Sequence, residues 1–181
     1  SYGVEINSIG FFINASDALV WRGPMATGAL RQLIHQTDWG MLDFLLIDLP
    51  PGTGDVHLTV LQETKVDGAV IVSTPQQVAV ADVARGIKMF RTPGIEVPVL
   101  GIIENMAWFT PAELPDNKYY IFGHGGAAEL AKSDGIPLLG EIPVVQSVME
   151  GGESGKPGAL TTPTIADAYR TVAEEIVSNY K

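Results

Sequence analysis

At 181 residues the chain has the length of one ordinary domain, and 46% hydrophobic against 18% charged residues provides enough apolar surface for a core. With 21 acids against 11 Lys and Arg the formal charge is −10, which argues against a nucleic-acid face or docking on anionic lipid, since both need a basic surface. There is no Cys, so a disulfide framework, a thiolate nucleophile and a cysteine-ligated metal or iron–sulfur site built from this chain alone are excluded. No apolar run approaches the roughly 18–20 residues of a membrane span, and Ser1–Ile6 carries no secretory pattern, so a cytoplasmic protein is the expectation.

Five short apolar segments, rich in β-branched and aromatic residues, are expected as strands buried on both faces: Ser8–Ile13, Phe44–Leu49, Ala69–Ser73, Val97–Ile103 and Leu138–Ile142. Helical patterns lie between them. Pro24 to about Gln36 places Ala26, Leu30, Leu33 and Ile34 on one face, with Pro24 suited to a first turn. Gln76 to Arg91 carries Val80, Val83, Ala84, Ile87 and Phe90, and Thr74-Pro75-Gln76-Gln77 ahead of it has the form of a capping box. A further helix, about Gly125–Ser133, stops at Asp134-Gly135, where glycine supplies a left-handed residue. The last opens at Thr162-Pro163 and aligns Ile165, Ala168, Tyr169, Val172 and Ile176. Strand–helix alternation predicts the α/β class: a doubly wound, mostly parallel sheet with helices on both faces. Ala107–Lys118, with Pro111, Pro115 and no apolar period, is longer than a usual connection and reads either as a functional or partner surface or as an ordinary insertion.

The strongest chemical signal is Ile47-Asp48-Leu49-Pro50-Pro51-Gly52-Thr53-Gly54-Asp55. An apolar run ending in Asp48 places a carboxylate at the carboxyl end of a parallel strand, the edge where open α/β sheets bind ligands. Such an aspartate can hold Mg²⁺ through its waters, and Gly52-Thr53-Gly54 leaves backbone N–H groups free to face an anion. The plainer alternative, a loop-capping Asp beside turn glycines, suits a lone apolar-Asp pattern better than this full string.

A phosphate cradle is missing. The Gly155-Lys156 pair fails the G-x-x-x-x-G-K-[ST] pattern, since Glu150 precedes Lys156 by six and Pro157 replaces the metal-binding hydroxyl. Gly123-His124-Gly125-Gly126 is not G-x-G-x-x-G. His35, His57 and His124 share no metal-ligand spacing and read as surface or structural residues; Trp21, Trp39 and Trp108 suit core or interface packing as well as binding. Glu104-Asn105-Met106 follows an apolar strand directly, placing polar groups at the ligand edge. An amide there can pair with an adenine edge or steady a loop.

Trp21-Arg22-Gly23-Pro24-Met25, Asp38-Trp39-Gly40 and the string through Asp55 resemble the Mrp/ApbC family of P-loop ATPases, iron–sulfur cluster carriers within the group that includes MinD, ParA and the nitrogenase iron protein. The resemblance continues through Val72–Gln76, Gly101–Met106, Ile121-Phe122-Gly123 and Pro137–Pro143, over essentially the whole chain. It implies one P-loop ATPase-like domain over 1–181, of the MinD type, corresponding to a member's C-terminal portion without the first strand and P-loop. It implies further that Asp48 is the Mg²⁺ aspartate, that Gly52 belongs to the switch loop facing the γ-phosphate, that Asn105 reads the adenine, and that Pro143 and Val144 lie against the base. ATP and Mg²⁺ are the implied ligands; a homodimer and iron–sulfur recipient apoproteins are the implied partners. Family members often carry a CxxC after the Glu-Asn-Met string, from which the dimer binds a 4Fe–4S cluster; here Ala107–Pro115 has none, so any cysteine ligand must come from upstream sequence or from a partner. Two other readings remain open to the sequence. A positioning ATPase acting on membrane or DNA is disfavoured by the acids Asp167, Glu174 and Glu175 on the terminal helix. A non-enzymatic scaffold would hold a partner through the Ala107–Lys118 loop and Trp108.

Overall fold

The computed structural model describes residues 2–12 and 23–180. They fall into two compact units, 1–66 and 67–181.

The second unit carries the sheet. Its elements in chain order are β1 (Ala69–Ser73), α3 (Gln77–Phe90), β2 (Val99–Phe109), α4 (Gly126–Asp134), β3 (Leu138–Val144), α5 (Gln146–Ser154), α6 (Gly158–Thr161) and α7 (Pro163–Asn179). The strands are parallel in the order β1-β2-β3, with Ile71 opposite Ile102 and Asn105 opposite Ile142. Helices cover both faces, as the alternation of β2 shows: the Glu104 side chain meets α4, while its neighbour Ile103 packs with Val172 of α7. The α/β expectation therefore holds: the three strands predicted here are found, β1 and β3 within about two residues of their expected bounds. β2 runs to Phe109, well beyond Ile103, because Phe109 and Tyr119 exchange both backbone hydrogen bonds at 2.8 Å. That bridge folds Ala107–Lys118 back on itself, and Lys118 Nζ sits 3.8 Å from the centre of the Trp108 ring.

The core lies here too. Ile87, Ile102 and Ile165 are wholly buried, and Leu139, Ile142 and Val172 form a cluster joined by Val70, Ile103, Ala168 and Ile176. This is the helical face predicted for α7, Tyr169 excepted, which is exposed. Gly135 ends α4 at φ +66°, as expected. The capping box ahead of α3 does not form. Gln76 is the N-cap, in extended conformation and without a side-chain bond. The start of α4 is packed closely on Pro75: a Cβ on buried Gly126 would overlap the Pro75 carbonyl oxygen.

The first unit holds α1 (Gly23–His35), with Pro24 in its first turn, and α2 (Asp55–Glu63), which the sequence reading did not anticipate. Glu63 joins them, accepting from Arg31 Nε at 2.8 Å and lying 3.1 Å from His35 Nε2. Arg31 first, then His35, holds the Glu63 carboxyl below its ordinary range. Two expected strands are absent among the described residues. Ile9–Phe11 forms a single 3-10 turn, in which Ser8 Oγ accepts from the Gly10 N–H at 3.2 Å and so draws the backbone out of an extended path; Ile13 lies outside the described residues. Phe44–Leu49 is not a strand, and Leu46 is 90% exposed. A parallel strand exists only through hydrogen bonds to a neighbour, and no described strand pairs with this segment. Among the described residues no helix is long and apolar enough to cross a membrane.

Replacing Gly126 by Ala forces α4 off the Pro75 carbonyl, and should destabilise the protein by about 1–3 kcal/mol in urea unfolding followed by circular dichroism. Gly86→Ala, on α3 with open space around its Cβ position, is the control and should be neutral or stabilising.

Candidate functional site

Asn105, Pro143 and Val144 gather at the carboxyl end of β2 and β3. Asn105 is opposite Ile142, and Val144 is opposite Phe109. The ladder skips between Asn105 and Phe109, which leaves Pro143 where its missing N–H costs no hydrogen bond. Asn105 Oδ1 accepts from the Met106 N–H at 3.0 Å and steadies Met106 at φ +57°, a left-handed conformation uncommon for a side chain of this size. The oxygen of the amide is thus engaged locally, and its NH₂ remains to donate. Asn105 also lines a cleft of about 190 Å³ with Val72, Ile103, Ile142, Tyr169 and Val172, apolar except for that amide and the phenol.

Glu104 is not a ligand-edge group. It is 1% exposed, and its carboxylate accepts from the N–H of Ala127 at 2.8 Å, of Gly125 at 3.2 Å and of Ala128 at 3.3 Å. These are the unpaired N–H groups of the first turn of α4, whose N-cap glycine has no side chain to satisfy them. The carboxylate from β2 performs the capping, and so pins α4 to the strand that carries Asn105. The sequence signal was partial: strand alternation puts Glu104 on the same face as Ile102 and opposite to Asn105.

Asp48 and Gly52 belong to the first unit. Asp48 is exposed and follows the apolar run directly. Gly52 has φ +101°, the region that favours glycine, and Gly54 is the N-cap of α2 without a side-chain bond. The exposed carboxylate, the open turn and an uncapped helix start bearing backbone N–H groups are a donor set suited to one oxygen-bound Mg²⁺ and an anion. For an iron–sulfur cluster the set does not fit, since the chain has no thiolate. Among the described residues no three His, Asp or Glu side chains converge as metal ligands.

Of the histidines, His35 is exposed beside Glu63, and the His124 ring meets Tyr120 edge-on at 4.4 Å. His57, on the first turn of α2, is buried, and burial pushes its pKa below the ordinary 6.5 against a smaller raising effect from the Pro50 carbonyl. Trp39 donates its indole N–H to the Ile34 carbonyl at 3.3 Å; Trp21 and Arg22 lie outside the described residues.

A parallel α/β sheet with its polar residues collected at the carboxyl ends of the strands is the architecture of a nucleotide-binding domain. The sequence matches, over residues 1–177, the family described as ParA: NUBPL iron-transfer P-loop NTPase. The chain belongs to that family. It is 47% identical over 179 residues to the iron–sulfur cluster transfer protein NUBPL of Dictyostelium discoideum, covering 98% of this chain and 54% of that protein. It is 45% identical to the iron–sulfur cluster carrier protein of a Synechocystis strain, over 96% of this chain and 48% of that one. The chain thus spans about half the length of the curated relatives it matches. Among solved structures it is similar to the nucleotide-binding protein of Archaeoglobus fulgidus in complex with ADP, at 43% identity and a TM-score of 0.64, covering 73% of this chain and 53% of that one.

Two measurements test these placements. Glu104→Ala strands the N–H groups of α4 and should cost about 2–4 kcal/mol in urea unfolding, with Glu104→Gln costing clearly less. Because the folded state keeps His57 neutral while the unfolded chain takes the proton first, stability should fall as pH drops through 6.5 towards the lower folded value. His57→Gln should flatten that part of the profile when urea midpoints are compared between about pH 7 and about pH 5.

Proposed function

We propose that this chain forms part of an ATP-binding, ATP-hydrolysing iron–sulfur cluster carrier, its phosphate-binding loop supplied by sequence outside these 181 residues. The two units are, in this reading, parts of a single P-loop ATPase-like domain that works as a homodimer in the cytoplasm and delivers clusters to recipient apoproteins. The observation that carries it is the Asp48–Asp55 segment: in a chain 47% identical to a cluster transfer protein, an exposed aspartate precedes a turn with Gly52 at φ +101° and a helix start that no side chain caps.

Asp48 holds Mg²⁺ through its waters. The ion would supply charge neutralisation at the phosphate oxygens when bound. The backbone at Gly52 faces the γ-phosphate, where an N–H can donate without a side chain obstructing it. The Asn105 NH₂ donates to the adenine edge, and Pro143 and Val144 present an apolar surface to the base. The cluster is cargo. Its cysteine ligands come from other sequence or from a partner, since this chain has no Cys.

Calorimetry with Mg·ATP should show no measurable binding to the 181 residues alone and micromolar binding once the upstream segment is restored. In that longer protein Asp48→Asn should lower kcat by about 10²-fold while changing nucleotide affinity much less. Unchanged turnover would remove Asp48 from the reaction. Iron and sulfide analysis after anaerobic reconstitution of the longer protein separates a carrier from a scaffold.

A further inference from the structure

Met106 is held in a conformation that its side chain does not favour. Its φ is +57°, where a Cβ crowds the backbone and where a bulge residue is commonly glycine. The strand on either side imposes this. Asn105 pairs with Ile142 and Phe109 with Val144, so four steps along β2 face two along β3, and the extra chain must leave the ladder between them. Beyond the bulge, Ala107 is 1% exposed and Phe109 is bridged to Tyr119, which anchors its far side.

The bulge turns the Met106 N–H onto Asn105 Oδ1, at 3.0 Å. A backbone N–H can only donate, so the oxygen of the amide faces it and the NH₂ faces the other way. The two ends of an amide are alike in shape, and a free Asn exchanges them by rotation about a broad, two-fold torsion. Among the described residues this is the one hydrogen bond that the amide makes, so the Met106 N–H alone decides which end is which. Asn105 lines the apolar cleft under α7, where the Tyr169 phenol can donate or accept and so demands neither; the amide is the group that imposes an order.

We propose that Met106 is a positioning residue for base selection: its left-handed backbone locks the Asn105 amide with Oδ1 towards the bulge and Nδ2 away from it, and the lock makes the site choose a 6-amino over a 6-oxo purine. Base selection rests on the reading of Asn105 as the residue that meets the base; the lock does not. Adenine carries the N6 amine, a donor, beside a ring nitrogen that accepts, so it needs an acceptor and a donor in a fixed order. Oδ1 keeps a second lone pair after taking the Met106 N–H, and Nδ2 donates. Hypoxanthine has an oxygen in place of that amine and an N–H at N1 in place of a lone pair. Against a locked amide it sets oxygen against oxygen and N–H against N–H. An amide free to flip would meet its N1 edge as well as it meets adenine.

The longer protein, as parent, Met106→Gly and Met106→Val, is titrated calorimetrically with ATP and with inosine triphosphate, whose bases differ in these groups alone. Glycine takes a positive φ freely and keeps the N–H in place, whereas a β-branched residue resists it. Parent and Gly variant should bind ATP about 30-fold more tightly than inosine triphosphate, and the Val variant should narrow that ratio to about threefold. A ratio that Val leaves at the parent's value, or that Gly narrows as far as Val does, overturns the proposal. The 181-residue chain gives a readout that needs no nucleotide. Asn105→Ala should speed hydrogen exchange at the Met106 amide by about tenfold, with Ile102 and Ile103 unchanged because β2 stays folded. Unchanged exchange at Met106 means that no lock exists and overturns the proposal. A parent that binds neither nucleotide sinks the nucleotide reading and the base selection built on it, while exchange at Met106 still decides the lock.

Discussion

A strand in a buried sheet must satisfy its backbone on both edges, and β2 is the described strand that does so, between β1 and β3. Everything ordered around the sheet follows from that central position. Ile102 faces a dry interior, and so does Glu104 two residues on, which puts a carboxylate where water cannot solvate it. The N-terminal turn of α4 resolves the problem, because its free N–H groups need an acceptor as much as the carboxylate needs donors. With α4 pinned, Gly126 is close enough to the Pro75 carbonyl that no side chain would fit. One buried charge thus connects strand, helix and loop, and leaves Asn105 at the rim.

The same rule works in the opposite sense in residues 1–66. Phe44–Leu49 has the composition of an interior strand, yet no described strand pairs with it, and Phe44, Leu45 and Leu46 stand exposed. α1 and α2 satisfy their backbones within themselves, need no neighbouring strand, and meet through Arg31, His35 and Glu63. The proposed metal aspartate thus follows a segment whose strand character depends on partners, while the proposed adenine-reading residues are on strands that already have them.

This division bears on how a member of this family works. Asn105, Pro143 and Val144 are fixed by the ladder between β2 and β3, whereas no described strand pairs with the segment that carries Asp48 and Gly52. With no Cys, the chain supplies no thiolate ligand to an iron–sulfur cluster.

Composition and period alone determined the α/β class, the three paired strands, the α1, α3, α4 and α7 patterns and the glycine stop at Gly135, because each follows from contacts within a few residues or from a single buried face. The family was legible in strings such as Ile47–Asp55, whose order of residue types is improbable by chance. Tertiary structure decided what depends on partners distant in sequence: that Phe44–Leu49 pairs with no described strand, that Glu104 caps α4 across 23 residues rather than lining the ligand edge, and that His57 is buried. Hydrophobic pattern records how willing a segment is to be buried. Whether it is buried, and what a polar group meets when it is, depends on which other backbone arrives beside it.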